Sequence, residues 1–192
     1  MSAQEYLSKL TYAAPDRNPD ERLRQMILYI ADQCVDDPTF GATKLNKILY
    51  FADFWSFRDY HESITGCAYM RLDEGPVPVR LLPVREKMLQ AGEIAIARRK
   101  VYNLERQPVV ALREASLDCF KARDIAMEHT VIQWLWGVSA HEASDRSHGR
   151  VWKMMQNKER VPYESIFISD EPLTAYDIAR SKELALKYGW DT

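Results

Sequence analysis

Between Thr43 and His61 the chain reads TKLNKILYFADFWSFRDYH, and no other stretch restricts the fold as strongly. Leu45, Ile48, Leu49, Ala52 and Trp55 recur at helical spacing and define one apolar stripe. Tyr50, Phe51, Phe54 and Phe57 widen it beyond the roughly 100° that an ordinary surface helix buries. Such a helix must be covered on most sides. It is too short and too charged to span a membrane, which takes about 20 consecutive apolar residues. The spacing therefore predicts the central helix of a core, packed against helices over 19–35 and 117–137. Lys44 and Lys47 fall on its polar edge and Arg58 near its far end, where they are available to a partner.

The flanking sequence supplies the rest of one domain. At 192 residues with a hydrophobic fraction of 46%, the chain suffices for a single core. Residues 1–18 are expected to form an N-terminal extension and residues 19–192 the domain. Asn18-Pro19-Asp20-Glu21 is a helix start, with Asn18 as cap and Glu21 reaching back to it. Residues 64–72 have strand character, DEGPVP at 73–78 is a turn, and 79–91 is a short helix stopped by Gly92. Residues 93–103 and 107–114 follow as two strands joined by a turn, then a long helix over 117–137. Ser139 and Glu142 form a second capping-box pattern, predicting a helix from Ala140 to about His148. Residues 163–169 read as loop or short strand, and a last helix begins after a cap at 174–177. The sum is an α+β domain, mostly helical, with an antiparallel sheet of about three strands. The order of its elements is also compatible with a winged-helix-like layout.

Chemistry is harder to place. His141, Asp145 and His148 share a helical face and could hold a divalent metal, but an exposed polar face accounts for them more simply. No serine sits in a nucleophile elbow, and no glycine pattern cradles phosphate. Cys34, Cys67 and Cys119 lie far apart, as expected of reduced thiols. The expectation is a protein without catalysis, metal or cofactor. A formal charge of −2 gives no global attraction to nucleic acid. A DNA-binding regulator remains the alternative, and it requires Arg98-Arg99-Lys100, beside Tyr102, to join Lys44 and Lys47 in one positive surface. The N-terminus has no signal-peptide pattern and no stretch is long enough to span a membrane, so a soluble cytoplasmic location is expected.

Three segments together resemble the Panacea domain family, the antitoxin-associated domain typified by SocA and also met in phage-associated proteins. They are KLNKILYFADFW at 44–55, YMRLDEGPVP at 69–78 and SAHEASDRSHGRVW at 139–152. Lys44, Leu45, Lys47, Leu49, Tyr50, Phe51 and Ala52 match the first family element. Gly75, Pro76 and Val77 match the second, and Ser139, Glu142, Ser144, His148 and Trp152 match the third. Glu74 stands where the family commonly places an aromatic residue. The resemblance implies a mostly helical fold with a small sheet. It also implies a bacterial antitoxin that neutralises a cognate toxin encoded in the adjacent gene, by protein contact and not by catalysis. The candidate partner-binding or motif residues are thus Lys44, Lys47, Tyr50, Phe51, Trp55, Arg58, Gly75, Pro76, His148 and Trp152.

Overall fold

A computed structural model describes residues 10–101, 104–168 and 174–189. Helix α1 spans Pro19–Gln33 and helix α2 spans Ala42–Tyr60. Strands β1 (Tyr69–Leu72) and β2 (Gly75–Pro78) form a hairpin, followed by α3 (Leu81–Gln90). Strands β3 (Ile94–Ile96), β4 (Arg99–Val101), β5 (Leu104–Arg106) and β6 (Val109–Ala111) come next. Helices α4 (Ala122–Leu135), α5 (Ala140–Ser147) and α6 (Arg150–Met154), strand β7 (Arg160–Val161) and helix α7 (Ala175–Tyr188) complete the order. The fold is α+β and mostly helical, as the periodicity indicates.

Helix α2 is the axis of the core. Leu45, Ile48, Leu49, Ala52 and Phe54 are fully buried, and Phe51 and Phe57 nearly so. It packs on α4 and α1, as its width requires, and also on β2 and α5. Each such aliphatic or aromatic side chain contributes about 1.5–3 kcal/mol when withdrawn from water. This interior is not wholly apolar. Asp53, also fully buried, accepts hydrogen bonds from the Thr65 amide at 2.7 Å and the Tyr69 phenol at 2.7 Å, and Thr65 Oγ1 donates to it as well. Burial pushes the Asp53 carboxyl above its ordinary range despite those donors.

In the three-stranded sheet, β1 lies between β2 and β7, both antiparallel to it. Leu72 pairs with Gly75 and Tyr69 with Pro78, so the turn holds only Asp73 and Glu74. The expected turn over 73–78 is thus mostly strand. Pro76 and Pro78 are tolerated because β2 is an edge strand, where an amide hydrogen is dispensable.

Other boundaries move for local reasons. Asn18 makes no side-chain cap, because it adopts φ 53° while its amide closes the preceding turn onto Pro15. Glu21 bonds Arg24 and Gln25 instead of reaching back. Pro83 sits in the first turn of α3, where its missing amide hydrogen has no intrahelical partner to lose. The two long strands expected over 93–114 are divided into β3–β6 and β4–β5 ladders, with Pro108 unable to donate at the break. The helix expected over 117–137 begins at Ala122, where Asp124 accepts the Lys121 amide. Residues 163–167, expected as loop or short strand, form a 3₁₀ helix. Thr11 of the expected extension is tied to the domain, since its amide donates to Glu164 and its carbonyl accepts from Tyr163.

Candidate functional site

The three sequence elements of the motif set converge on one locus. The α2 helix brings Lys47 and Tyr50, the β1–β2 turn brings Gly75 and Pro76, and the α5–α6 corner brings Ser144, Ser147, His148 and Trp152. Gly75 is the pivot. Its backbone has φ +100°, and a Cβ there would overlap Lys47 Nζ and Ser147 Oγ. The lysine and the serine therefore lie on the same side of the Gly75 α-carbon. Lys47 is 1% exposed. Its amine is pushed down to about 8 by burial, which the charge of Glu74 only partly offsets. No carboxylate or hydroxyl hydrogen-bonds its ammonium among the described residues. The expected position on the polar edge is thus corrected for Lys47, because the hairpin and α5 close over that edge.

Lys44 is likewise inside, at 0% exposed, for a different reason. Its ammonium donates to Asp37 and to Thr39 Oγ1, each at 2.5 Å. Asp37 in turn accepts the Thr39 amide at 2.9 Å. Burial raises the Asp37 carboxyl, but the donors from Lys44 and Thr39 outweigh it and leave the group below its ordinary value. Burial lowers the Lys44 amine in spite of that partner. This ion pair pins the α1–α2 connection and leaves Lys44 no surface to offer.

At the α5–α6 corner, Ser139 caps α5 by accepting the Glu142 amide at 3.1 Å, as its pattern predicts. The Glu142 side chain bonds Arg146 at 2.6 Å and not the cap. Ser144, Ser147 and His148 project from the inner side of α5. Ser147 Oγ donates to the Ser144 carbonyl at 2.7 Å, whereas Ser144 Oγ and His148 Nε2 are buried without a hydrogen-bond partner. His148 stacks on Trp152, and Arg71 lies over the same indole with its guanidinium carbon 4.3 Å from the ring centroid. Trp152 Nε1 donates to the Leu72 carbonyl at 3.0 Å, which ties α6 to the hairpin. The imidazole is held below its ordinary pKa by burial first and by Lys47 second. His141 and His148 flank Asp145 at 3.4 and 3.9 Å. Among the described residues, however, no group of three His, Cys, Asp or Glu is placed to hold a metal ion. Ser147 and Trp152 also line a small cleft of about 40 Å³ with Tyr50, Pro76 and Ile168.

A second surface lies farther along α2, towards its C-terminal end. Phe51 and Trp55 each approach Trp134 of α4, with ring centroids 4.9 Å apart in both cases. Trp134 and Trp136 are each 39% exposed. Arg58 lies over Trp55 and Arg146 over Trp134. Phe51, Trp55 and Arg58 were named from the sequence, whereas Trp134 and Arg146 complete the ledge from remote segments. The pair of tryptophans in QWLWG, at a helix end beside a glycine, was the signal available for Trp134. Lys44 and Lys47 are buried and present no positive surface for the basic run at 98–100 to join, and Tyr102 lies outside the described residues.

Comparison with known proteins adds one match. The family model described as antitoxin SocA-like, Panacea domain, matches residues 45–153. No curated protein and no solved structure matches the chain. The matched span contains Lys47, the Gly75 turn, His148 and Trp152, and it ends just past the α5–α6 corner. No helix among the described residues is long and apolar enough to cross a membrane.

Proposed function

The chain belongs to the antitoxin SocA-like, Panacea domain family, and on that premise we propose that it neutralises a cognate protein toxin by direct contact. The observation that carries the contact surface is the aromatic ledge of Trp55 and Trp134 with Arg58 and Arg146 laid against it. Tryptophan and arginine are the residues most enriched where protein interfaces concentrate their binding energy. Rigid indoles lose little conformational freedom on association, and stacked guanidiniums remain able to bond a partner's carbonyls and carboxylates. In this role α2 serves twice. Its buried face builds the core and sets Phe51 beneath the ledge, and its outer flank holds Trp55 in register for a partner. The partner is a toxin encoded beside this protein, and masking of its active surface needs no chemistry from the antitoxin.

The test is genetic and then biochemical. The neighbouring open reading frame, expressed alone in a heterologous bacterium, is expected to arrest growth, and co-expression of this protein is expected to relieve the arrest. The two chains should then co-purify. Substituting Arg146→Glu or Arg58→Glu should weaken both rescue and co-purification while the protein remains folded. A harmless neighbour, or toxicity that persists beside the wild-type protein, rejects the pairing. Full rescue by the ledge variants would move the contact to another face.

A further inference from the structure

We propose that the polar cluster of Lys47, Ser144, Ser147 and His148 beneath the Gly75 turn is a binding site for a single carboxylate group. The proposal goes beyond toxin neutralisation and stands or falls separately from it.

Two elements bring buried polar atoms to one place. Lys47 comes from the core helix α2, and Ser144, Ser147 and His148 come from one side of α5, at spacings of three and four residues. Ser144 and Lys47 are each 1% exposed and Ser147 3%. Ser144 Oγ and His148 Nε2 have no hydrogen-bond partner, and no ion pair reaches the Lys47 ammonium among the described residues. Native interiors rarely leave such groups unsatisfied, and several side by side mark a place for a missing acceptor. Water can serve a hydroxyl or an imidazole, but it does not compensate a buried ammonium. An anion does both. One carboxylate oxygen would take the Lys47 ammonium, and the other would accept from the Ser144 hydroxyl or the His148 ring.

The size and shape of the place restrict the class. Ser147, alone of the four, lines a cleft of about 40 Å³, too small for a nucleotide or sugar and sufficient for a carboxylate head that reaches the cluster past it. Pro76, Tyr50 and Trp152 wall it, which favours a flat group. Gly75 lets Lys47 Nζ and Ser147 Oγ approach its backbone together, since any side chain at that position would displace both. The charges acting on the cluster are Glu74 and Asp145 on one side of the balance and Arg71 on the other, with His148 beside Lys47 and Arg150 lining the cleft. Glu74 is exposed at the turn, so its carboxylate moderates the site without filling it.

The full-length protein, labelled at its histidine rings, is titrated with sodium acetate at constant ionic strength while the His148 resonances and the melting temperature are followed. A short neutral-ended peptide with one central glutamate is the second arm, separating a free acid from a protein-borne side chain. Acetamide and inorganic phosphate are the controls. Saturable shifts by acetate or the peptide are expected, weakened roughly tenfold or more in Lys47→Met, as loss of a charge-assisted bond implies. Ser144→Ala should weaken them less. Binding should also fade as pH rises above about 8, where Lys47 loses its proton. A response to acetate alone assigns a free acid, and a stronger response to the peptide assigns a partner's acidic residue. The proposal is overturned if neither probe acts, if Lys47→Met responds like the wild type, or if acetamide equals acetate. It is equally overturned if phosphate binds as well as acetate, which would mean an unspecific anion site. Should Lys47→Met fail to fold, the acetamide control and Ser144→Ala decide the matter.

Discussion

The imidazole of His148 lies flat on the indole of Trp152, with ring centroids 3.7 Å apart and planes 11° from parallel. That contact changes what the histidine is for. With one face against an indole and its Nε2 buried, it is part of the packing between α5 and α6, unlike His141, whose side chain is 87% exposed. Arg71 on the other face of Trp152 extends the stack to β1. Trp152→Phe keeps a ring in the stack but removes the donor to the Leu72 carbonyl. A loss of about 1 kcal/mol is expected from urea unfolding, and no loss would show that the Leu72 bond contributes nothing net.

Gly75 and Gly41 make a matched pair. At Gly75 the left-handed φ and the overlap with Lys47 and Ser147 both oppose a side chain. Gly75→Ala is expected to destabilise by about 1–3 kcal/mol. Gly41 is extended at φ −173° with nothing near its missing Cβ, so Gly41→Ala should be neutral within about 0.5 kcal/mol. Equal melting temperatures for the two variants would contradict the geometry.

Lys47 sets a pH signature. Its folded pKa is depressed from 10.5 to about 8, mainly by burial. The unfolded chain therefore binds the proton more tightly, and the cost of burying the charge is complete below about pH 8. As pH rises from about 8 towards 10.5 that cost is relieved. Lys47→Met should consequently be more stable than the wild type at pH 7, by up to about 3 kcal/mol. The gap should close in alkaline solution. A pH-independent difference in denaturation midpoint would rule out this origin.

Glu128 carries the opposite sign. It is 1% exposed, its Oε1 has no hydrogen-bond partner, and burial, reinforced by Asp53, holds its carboxyl well above the ordinary value. Here the folded state binds the proton more tightly. The contribution is complete below the ordinary carboxyl range and is lost as pH rises towards the folded value. Wild-type stability should therefore fall between acidic and neutral pH, and Glu128→Gln should flatten part of that slope and be the more stable form at pH 8. Part of the slope must survive in the variant, because the Asp53 carboxyl is raised too.

The buried pair of Lys44 and Asp37 is expected to be strongly asymmetric. Lys44→Met leaves the Asp37 carboxylate uncompensated at 1% exposure and should cost about 3–5 kcal/mol. Adding Asp37→Asn should restore part of that loss. A double variant as unstable as the sum of the single ones would mean that the two groups are not coupled.

Much of the architecture follows from local pattern. The stripe from Leu45 to Phe57 specifies a helix and its burial, because angular spacing along a helix depends on neighbouring residues alone. Ser139 marks the start of α5 for the same reason, since a cap bonds an amide only three residues away. The order of the motifs also sufficed to relate the chain to its family. The inward turn of Lys44 and Lys47 was beyond that pattern. Periodicity places them at the edge of an apolar stripe, but whether an edge meets water or protein depends on segments distant in sequence. For Lys47 those segments are Gly75 and Ser147, and for Lys44 the pairing with Asp37 across the α1–α2 connection decides it. The aromatic ledge has the same origin, for Trp134 reaches Phe51 and Trp55 only when α4 packs on α2. Local sequence determined which elements form, and packing across the chain decided which of their charged and aromatic side chains are left for a partner.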